Sequence, residues 1–190
     1  MKKKNILIMT VAFCMYLCLG CSSTDPSTEI PETSEIPKIT EPLSDADITI
    51  PSVLVGEELA QVQTEIATTD NGDGTVTYSL NGEALTDILN QIAADIADSI
   101  QTILDDDDRY PDITAITPNE DYTSFTISLK NGQMSIYESM LVMSFYTVGN
   151  RYQIYNGVPA DEAVTTVIYI NDSDGSVVSE SDSTSMTSQQ

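Results

Sequence analysis

The feature that most constrains this chain is a set of apolar residues spaced three and four positions apart. These residues are Leu85, Leu89, Ile92, Ile96, Ile100 and Ile103. That spacing places them along one stripe of an α-helix. Polar residues occupy the opposite stripe, at Asp87, Gln91, Asp95, Asp98 and Thr102. With Asn81 as its N-cap and Pro111 as its far limit, the sequence predicts one long amphipathic helix that must cover its apolar stripe.

Short strands and tight turns surround this helix. Alternating apolar residues predict strands at residues 47–50, 76–80 and 164–170, and a return strand at 177–178. Residues 113–129 are predicted to form two strand segments around a turn at residues 118–121. The turns at residues 70–74 and 171–175 superficially suggest calcium loops. Neither fits the EF-hand pattern, and both have the residues that hairpins require.

A second helix is predicted at residues 134–156, which are apolar on most sides. Its apolar residues are Met140, Leu141, Met143, Phe145 and Val148, and Gly149 is the point where it could break. Such a helix is expected to be more buried than the first. The predicted fold is α+β, with one antiparallel sheet of about four to six short strands and two helices packed on one face.

The N-terminus, residues 1–20, has the order of a lipoprotein signal peptide. Three lysines precede an apolar run from Ile6 to Leu19, which is short for a membrane-spanning helix. The run ends in Leu19-Gly20-Cys21, which resembles a lipobox, although Cys18 stands where an aliphatic residue is usual. This pattern predicts a diacylglyceryl group on Cys21 and a location on the extracellular face of a bacterial cell membrane. The alternatives are a secretory signal cut elsewhere and an uncleaved anchor.

The remaining chain divides into three segments by composition. Residues 21–45 are rich in Pro, Ser, Thr and Glu and predict an extended tether. Residues 46–178 are expected to form a single domain, and residues 179–190 a disordered polar tail. No cysteine follows Cys21, so the predicted domain is stabilised by its core without disulfides.

The charge balance excludes two classes of partner. The chain has 30 acidic and seven basic residues, and three of the basic residues lie in the predicted leader. From Cys21 onward, the chain has four basic and 30 acidic residues, which gives a formal charge of −26. Nucleic-acid binding and attraction to anionic lipid both need clustered Lys and Arg, so neither is expected.

The chain resembles a group of small surface lipoproteins from gut-dwelling Gram-positive bacteria. Some members are labelled as containing an antigen I/II N-terminal domain. The resemblance covers roughly residues 48–178. It rests on the segments Ile48–Pro51, Thr75–Asn81, Asp112–Ile113, Asn119–Ile127 and Val167–Ile170 with the turn that follows. It implies a surface location and hints at adhesion, but it assigns no functional residues.

Residues that carry enzyme chemistry are scarce. The chain has no histidine, and its single cysteine beyond the leader is the predicted lipidation site. No nucleophile elbow, P-loop or dinucleotide-binding motif occurs. With 30 acids, paired carboxylates arise by chance and indicate nothing. The chain is therefore predicted not to be an enzyme and to need no cofactor.

Two clusters remain as candidate sites, each with a structural alternative. Asp105, Asp106, Asp107 and Asp108 follow the first helix and form either a weak Ca²⁺ site or a solvated helix terminus. Tyr137, Tyr146, Tyr152 and Tyr155 form either a binding surface or part of the core.

The expected function is contact rather than catalysis. The sequence predicts a lipid-anchored surface protein that acts as a binding, adhesion or assembly module. Its partners would be the membrane, through Cys21, and a cell-wall component or a protein. The alternative is an accessory component of envelope transport that presents a small ligand or a cation.

Overall fold

The computed structural model describes residues 38–56, 59 and 66–185. Its first sheet is built from three short strands. Strands β1 (Ala46–Pro51), β2 (Ala67–Asp70) and β3 (Thr75–Leu80) form an antiparallel sheet in the order β1-β3-β2. Ile48 lies opposite Tyr78, and Ala46 opposite Leu80. Because successive side chains point to opposite faces, this register collects the apolar residues of β1 and β3 on one face.

Helix α1 (Gly82–Leu104) follows β3 directly and has the predicted phase. The Asn81 side chain accepts a hydrogen bond from the Ala84 N–H at 2.8 Å, which confirms the predicted N-cap. The first four stripe residues, Leu85 to Ile96, are buried, and the last two are partly buried. The polar stripe is exposed throughout.

The second sheet is mixed. It contains β4 (Ile113–Pro118), β5 (Ser124–Leu129), β6 (Thr166–Asn171) and β7 (Val177–Asp182) in that order. Strands β5 and β6 are parallel, and the other pairs are antiparallel. The α+β class is confirmed, but the strands form two sheets instead of one. Helix α2 (Ile136–Tyr155) joins β5 to β6 as the crossover that a parallel pair requires.

Helix α2 is continuous through Gly149, so the predicted breaking point is wrong. A Cβ atom at Gly149 would lie 2.4 Å from the Thr165 hydroxyl oxygen and 2.7 Å from the Tyr122 carbonyl oxygen. Glycine is needed here because the helix backbone approaches these groups closely. One turn on, the Gln153 side chain donates to the Thr165 hydroxyl and the Val164 carbonyl, both at 3.0 Å.

The folded region begins earlier than the predicted tether boundary. Asn90 on α1 accepts a hydrogen bond from the Ile39 N–H and donates one to the Ile39 carbonyl, both at 3.0 Å. The Leu43 N–H donates to the Thr86 hydroxyl, and Asp45 accepts from the Gly82 N–H at 2.9 Å. Residues 39–45 therefore pack on α1. Backbone groups of this segment have no helix or strand partner, and side chains of α1 form hydrogen bonds with them instead.

The folded region also ends later than predicted. Strand β7 continues to Asp182, which pairs with Thr166. Ser183 is buried, and its hydroxyl oxygen accepts a hydrogen bond from the Thr165 N–H at 3.1 Å. The predicted tail from residue 179 is thus wrong over residues 179–185. Polar composition suggested a tail, but backbone pairing with β6 holds these residues regardless of their side chains.

The core of the described residues lies where both helices meet the strands. Helices α1 and α2 contact each other, α1 contacts β4, and α2 contacts both β1 and β6. Phe125, Ile127, Leu129, Val167 and Tyr169 contribute almost fully buried side chains from β5 and β6. No helix in this part of the chain combines the length and hydropathy needed to cross a bilayer.

Candidate interaction surface

Cys21, the predicted lipidation site, lies outside the described residues, and so do the leader and most of the tether. Their interpretation stays a prediction from the sequence. The two other candidate sites, the aspartate run and the tyrosine cluster, lie within the described residues.

The aspartate run forms an exposed helix terminus. Asp105 is the C-cap of α1 and accepts a hydrogen bond from the Gln101 side chain at 2.9 Å. Asp106 accepts from the Arg109 N–H at 3.1 Å, and its carboxylate lies 3.8 Å from Arg109 Nε. This exposed ion pair contributes little to stability. Nowhere in residues 38–56, 59 and 66–185 do three acidic, His or Cys residues come together as a metal site, and Asp105–Asp108 are included in that statement.

Three of the four candidate tyrosines belong to the core. Tyr146, Tyr152 and Tyr155 are at most 7% exposed, so they fit the core alternative and offer no binding surface. The ring of Tyr152 lies 4.4 Å from that of Tyr122, centroid to centroid. Burial raises the pKa of Tyr152, and the nearby Asp121 carboxylate adds to this increase. Tyr137 alone of the four is exposed, at 56%.

Tyr137 belongs to an exposed apolar surface that the sequence did not predict. It consists of Met134, Ile136, Tyr137, Met140 and Met143, and is called the α2 face below. Ile136 is 70% exposed, Met140 65% and Met143 54%. Their spacing of four and three residues puts them on one side of α2. The second helix was expected to be more buried than the first, but Met140 and Met143 are exposed.

The N-terminus of α2 is fixed beneath this face. Ser135 and Glu138 form a capping box, in which each side chain accepts a hydrogen bond from the backbone N–H of the other. Glu138 is fully buried, and its carbonyl oxygen accepts a hydrogen bond from the Tyr169 hydroxyl at 2.5 Å. Burial raises the pKa of Tyr169, and the Glu138 carboxylate adds to this increase. These contacts tie the start of α2 to β6, so the α2 face is held in place by buried groups.

A signal for the α2 face was present in the sequence. From Tyr122 to Ala160 the only acidic residue is Glu138, in a chain with 30 acids. A helix that is apolar on all sides is either buried all round or covered by something else. The sequence could not decide between these, because burial depends on which elements surround the helix.

Two open depressions are also present among the described residues. One, of about 380 Å³, is lined by Asp45, Asp47, Ser79 and Asn81 with two apolar neighbours. The other, of about 360 Å³, lies along the seam between residues 38–42 and α1. The polar groups of the seam are engaged in holding Ile39 and Leu43, as described above. Comparison with protein-family models, curated proteins and solved structures found no match to this chain.

Proposed function

We propose that this chain is a bacterial surface lipoprotein, anchored through a diacylglyceryl group on Cys21, that acts by contact with another macromolecule and not by catalysis. The observation that carries the contact proposal is the α2 face. Large contiguous apolar patches are rare on soluble proteins unless a partner covers them. The predicted anchor and tether would present this face outside the membrane.

The chemistry of the α2 face suits a protein partner. Methionine side chains are unbranched and polarizable, so they adapt to the shape of an opposing surface. Tyr137 adds an aromatic ring with a polar edge, which is typical of interfaces. Ser144 and Thr147 lie exposed beside the apolar residues and are uncharged. An uncharged face of this kind can be covered without desolvating a charge.

The ligand-presenting alternative has less support. It would require a concave site in which polar groups converge on a ligand. The two depressions described above are open, and one is the seam that holds residues 38–42. We therefore take contact through the α2 face as the proposed function, and no second candidate is advanced.

Hydroxyl-radical footprinting tests the proposal without knowledge of the partner. The full chain is oxidised on intact cells and, separately, after purification at high dilution. We expect Met140 and Met143 to be oxidised several-fold more slowly on cells, because a partner covers them. Val53, which is 89% exposed and lies outside the α2 face, is the matched control and should react equally in both samples. Equal oxidation of the two methionines in both samples would contradict the contact proposal.

The anchoring part of the proposal is tested separately. In cells that carry Cys21→Ser, the chain should leave the membrane fraction or remain unprocessed, because the acyl chains have no attachment point. Normal processing with unchanged membrane retention would show that Cys21 is not the anchor.

A further inference from the structure

Sulfur is distributed unevenly along this chain. No cysteine follows Cys21, and the methionines that follow it are Met134, Met140, Met143 and Met186. The first three lie among the described residues, and all three belong to the α2 face. The buried core of the described residues consists of aliphatic, phenylalanine and tyrosine side chains and contains no methionine. Because methionine commonly fills gaps in cores, its confinement to one exposed face calls for a reason.

We propose that Met134, Met140 and Met143 form an oxidation site, at which a peroxide converts the α2 face from apolar to polar while the fold is retained. The reactant is a small two-electron oxidant of the hydrogen peroxide class. It can reach the sulfur atoms because Met140 is 65% exposed, Met143 54% and Met134 38%. The inference adds regulation to the proposed contact function, and its effect on contact rests on that function.

The chemical step transfers one oxygen atom to sulfur. A lone pair of the methionine Sδ attacks one peroxide oxygen, so that the S–O bond forms as the O–O bond breaks. The proton on the transferred oxygen moves to the departing oxygen, which leaves as water. The thioether is thereby oxidised by two electrons to a polar sulfoxide, and the peroxide is reduced by two. Methionine sulfoxide reductases reverse the change, with a dithiol as the reductant and water as the second product.

The fold should tolerate this change, because the inner side of α2 holds the helix in place. Leu141, Phe145 and Tyr146 on that side are at most 6% exposed, and the capping box described above fixes the first turn. A sulfoxide in a core disrupts packing. A sulfoxide on Met140 or Met143 would instead lie in water, so its cost falls on a contact made by the α2 face and not on folding.

Oxidation would act on the uncovered form of the α2 face. A sulfur atom beneath a partner is shielded, so the oxidant reaches the face only when it is free. Each sulfoxide then disfavours renewed contact, because covering it removes water from a polar group. No thiol beyond Cys21 competes for the oxidant, since the chain has no cysteine there.

Mass spectrometry of the purified full chain after treatment with hydrogen peroxide tests the site without a partner. We expect Met140 and Met143 to be oxidised about as fast in the folded chain as in urea, and Met134, the least exposed, more slowly. The oxidised chain should keep its urea midpoint but elute earlier from a hydrophobic-interaction column. Several-fold protection of Met140 and Met143 in the folded chain, or a lowered urea midpoint after oxidation, overturns the proposal.

The matched control replaces the three methionines of the α2 face by leucine. Met134→Leu, Met140→Leu and Met143→Leu together keep the face apolar and of similar volume but remove its sulfur. Met186 remains, so its oxidation is common to both chains. Elution of this variant should be the same before and after peroxide. An equal shift in both chains would place the change of polarity outside the α2 face and overturn the proposal.

Footprinting on cells separates this inference from the proposed function. Tyr137 is the reporter, because it lies exposed on the α2 face and contains no sulfur. After peroxide treatment and removal of the peroxide by catalase, hydroxyl-radical labelling of Tyr137 on cells should rise several-fold. Methionine sulfoxide reductases with a dithiol should reverse this rise, and the triple leucine variant should not show it.

The outcomes on cells have distinct meanings. Low labelling of Tyr137 that oxidation leaves unchanged overturns the regulation and leaves the contact function standing. Labelling of Tyr137 that is as high on cells as in the purified chain before any oxidation contradicts the contact function. In that case the elution and urea measurements still decide whether the three methionines form the oxidation site.

Discussion

Helices α1 and α2 have similar lengths, but the residues on their outer faces differ: they are polar in α1 and apolar in α2. In α1 the outward stripe carries Asp87, Gln91, Asp95 and Asp98, and water hydrates these polar side chains. In α2 the outward side carries Ile136, Met140 and Met143, which water solvates poorly. Both helices contribute a buried side to the same core. The comparison teaches that the fold accounts for every face of α1, whereas it leaves the outer face of α2 uncovered, and the proposed partner would cover it.

The largest expected effect lies on the inner side of α1. Ile96 is 2% exposed, so Ile96→Ala in the fragment 35–190 should lower the free energy of unfolding by about 2–5 kcal/mol through lost burial and a cavity. Asp95→Ala, one position away on the exposed stripe, should change it by less than about 0.5 kcal/mol. Urea unfolding measures both. Equal losses would mean that α1 does not have the amphipathic phase described above.

The next largest effect lies on the inner side of α2. Gly149→Ala should destabilise the fragment by about 1–3 kcal/mol, because the added Cβ meets the Thr165 hydroxyl and the Tyr122 carbonyl. At an open helix position the same change would stabilise, by roughly 1 kcal/mol. Ala94→Gly on the exposed side of α1 isolates the effect of helix propensity and should lower the free energy of unfolding by about 1 kcal/mol. A gain in stability from Gly149→Ala would contradict the close approach at this position.

A pH-dependent effect is expected where Tyr122 packs against Tyr152 of α2. Burial raises the pKa of Tyr122 to about 12, from an ordinary value near 10. The folded state therefore favours the neutral phenol. The stability that this provides is complete below pH 10 and is lost as the pH rises towards 12. Urea midpoints between pH 8 and 11.5 should fall accordingly.

Tyr122→Phe is the control for this titration. The buried Tyr122 hydroxyl has no hydrogen-bond partner among the described residues, so its removal should be nearly neutral at pH 8. The variant should then lose less stability between pH 10 and 11.5 than the parent fragment. An identical alkaline loss in both proteins would assign the effect to other groups.

The smallest effect is expected at the C-terminus of α1. Asp105 caps the end of the helix where the macrodipole is negative, so Asp105→Asn should raise the free energy of unfolding by about 0.3–1 kcal/mol. Since the neighbouring carboxylates do not converge on one point, millimolar Ca²⁺ should leave the melting temperature unchanged. A calcium-dependent rise that disappears when Asp105–Asp108 are replaced by Asn would revive the cation site.

Local patterns predicted most secondary structure well. The phase of α1 follows from the spacing of its apolar residues, and its N-cap follows from Asn81. Both features are local to one helix. The two glycine-containing turns follow from chain chemistry in the same way, and Gly72 and Gly175 have the positive φ angles that such turns use. The site was predicted less well. Tyr137 is exposed, but Tyr146, Tyr152 and Tyr155 are core residues, and the exposure of the methionines of the α2 face was not predicted.

The sequence by itself determined features that depend on neighbouring residues, namely the elements, the α+β class and the acidity. The leader before Cys21 stays a prediction from the sequence. The tertiary structure decided features that depend on distant residues. Examples are the parallel pairing of β5 with β6, the packing of residues 39–45 on α1 and the close approach at Gly149. The exposure of α2 is of the second kind. Hydrophobicity states how strongly a side chain avoids water, but only the arrangement of the other elements decides whether they cover it.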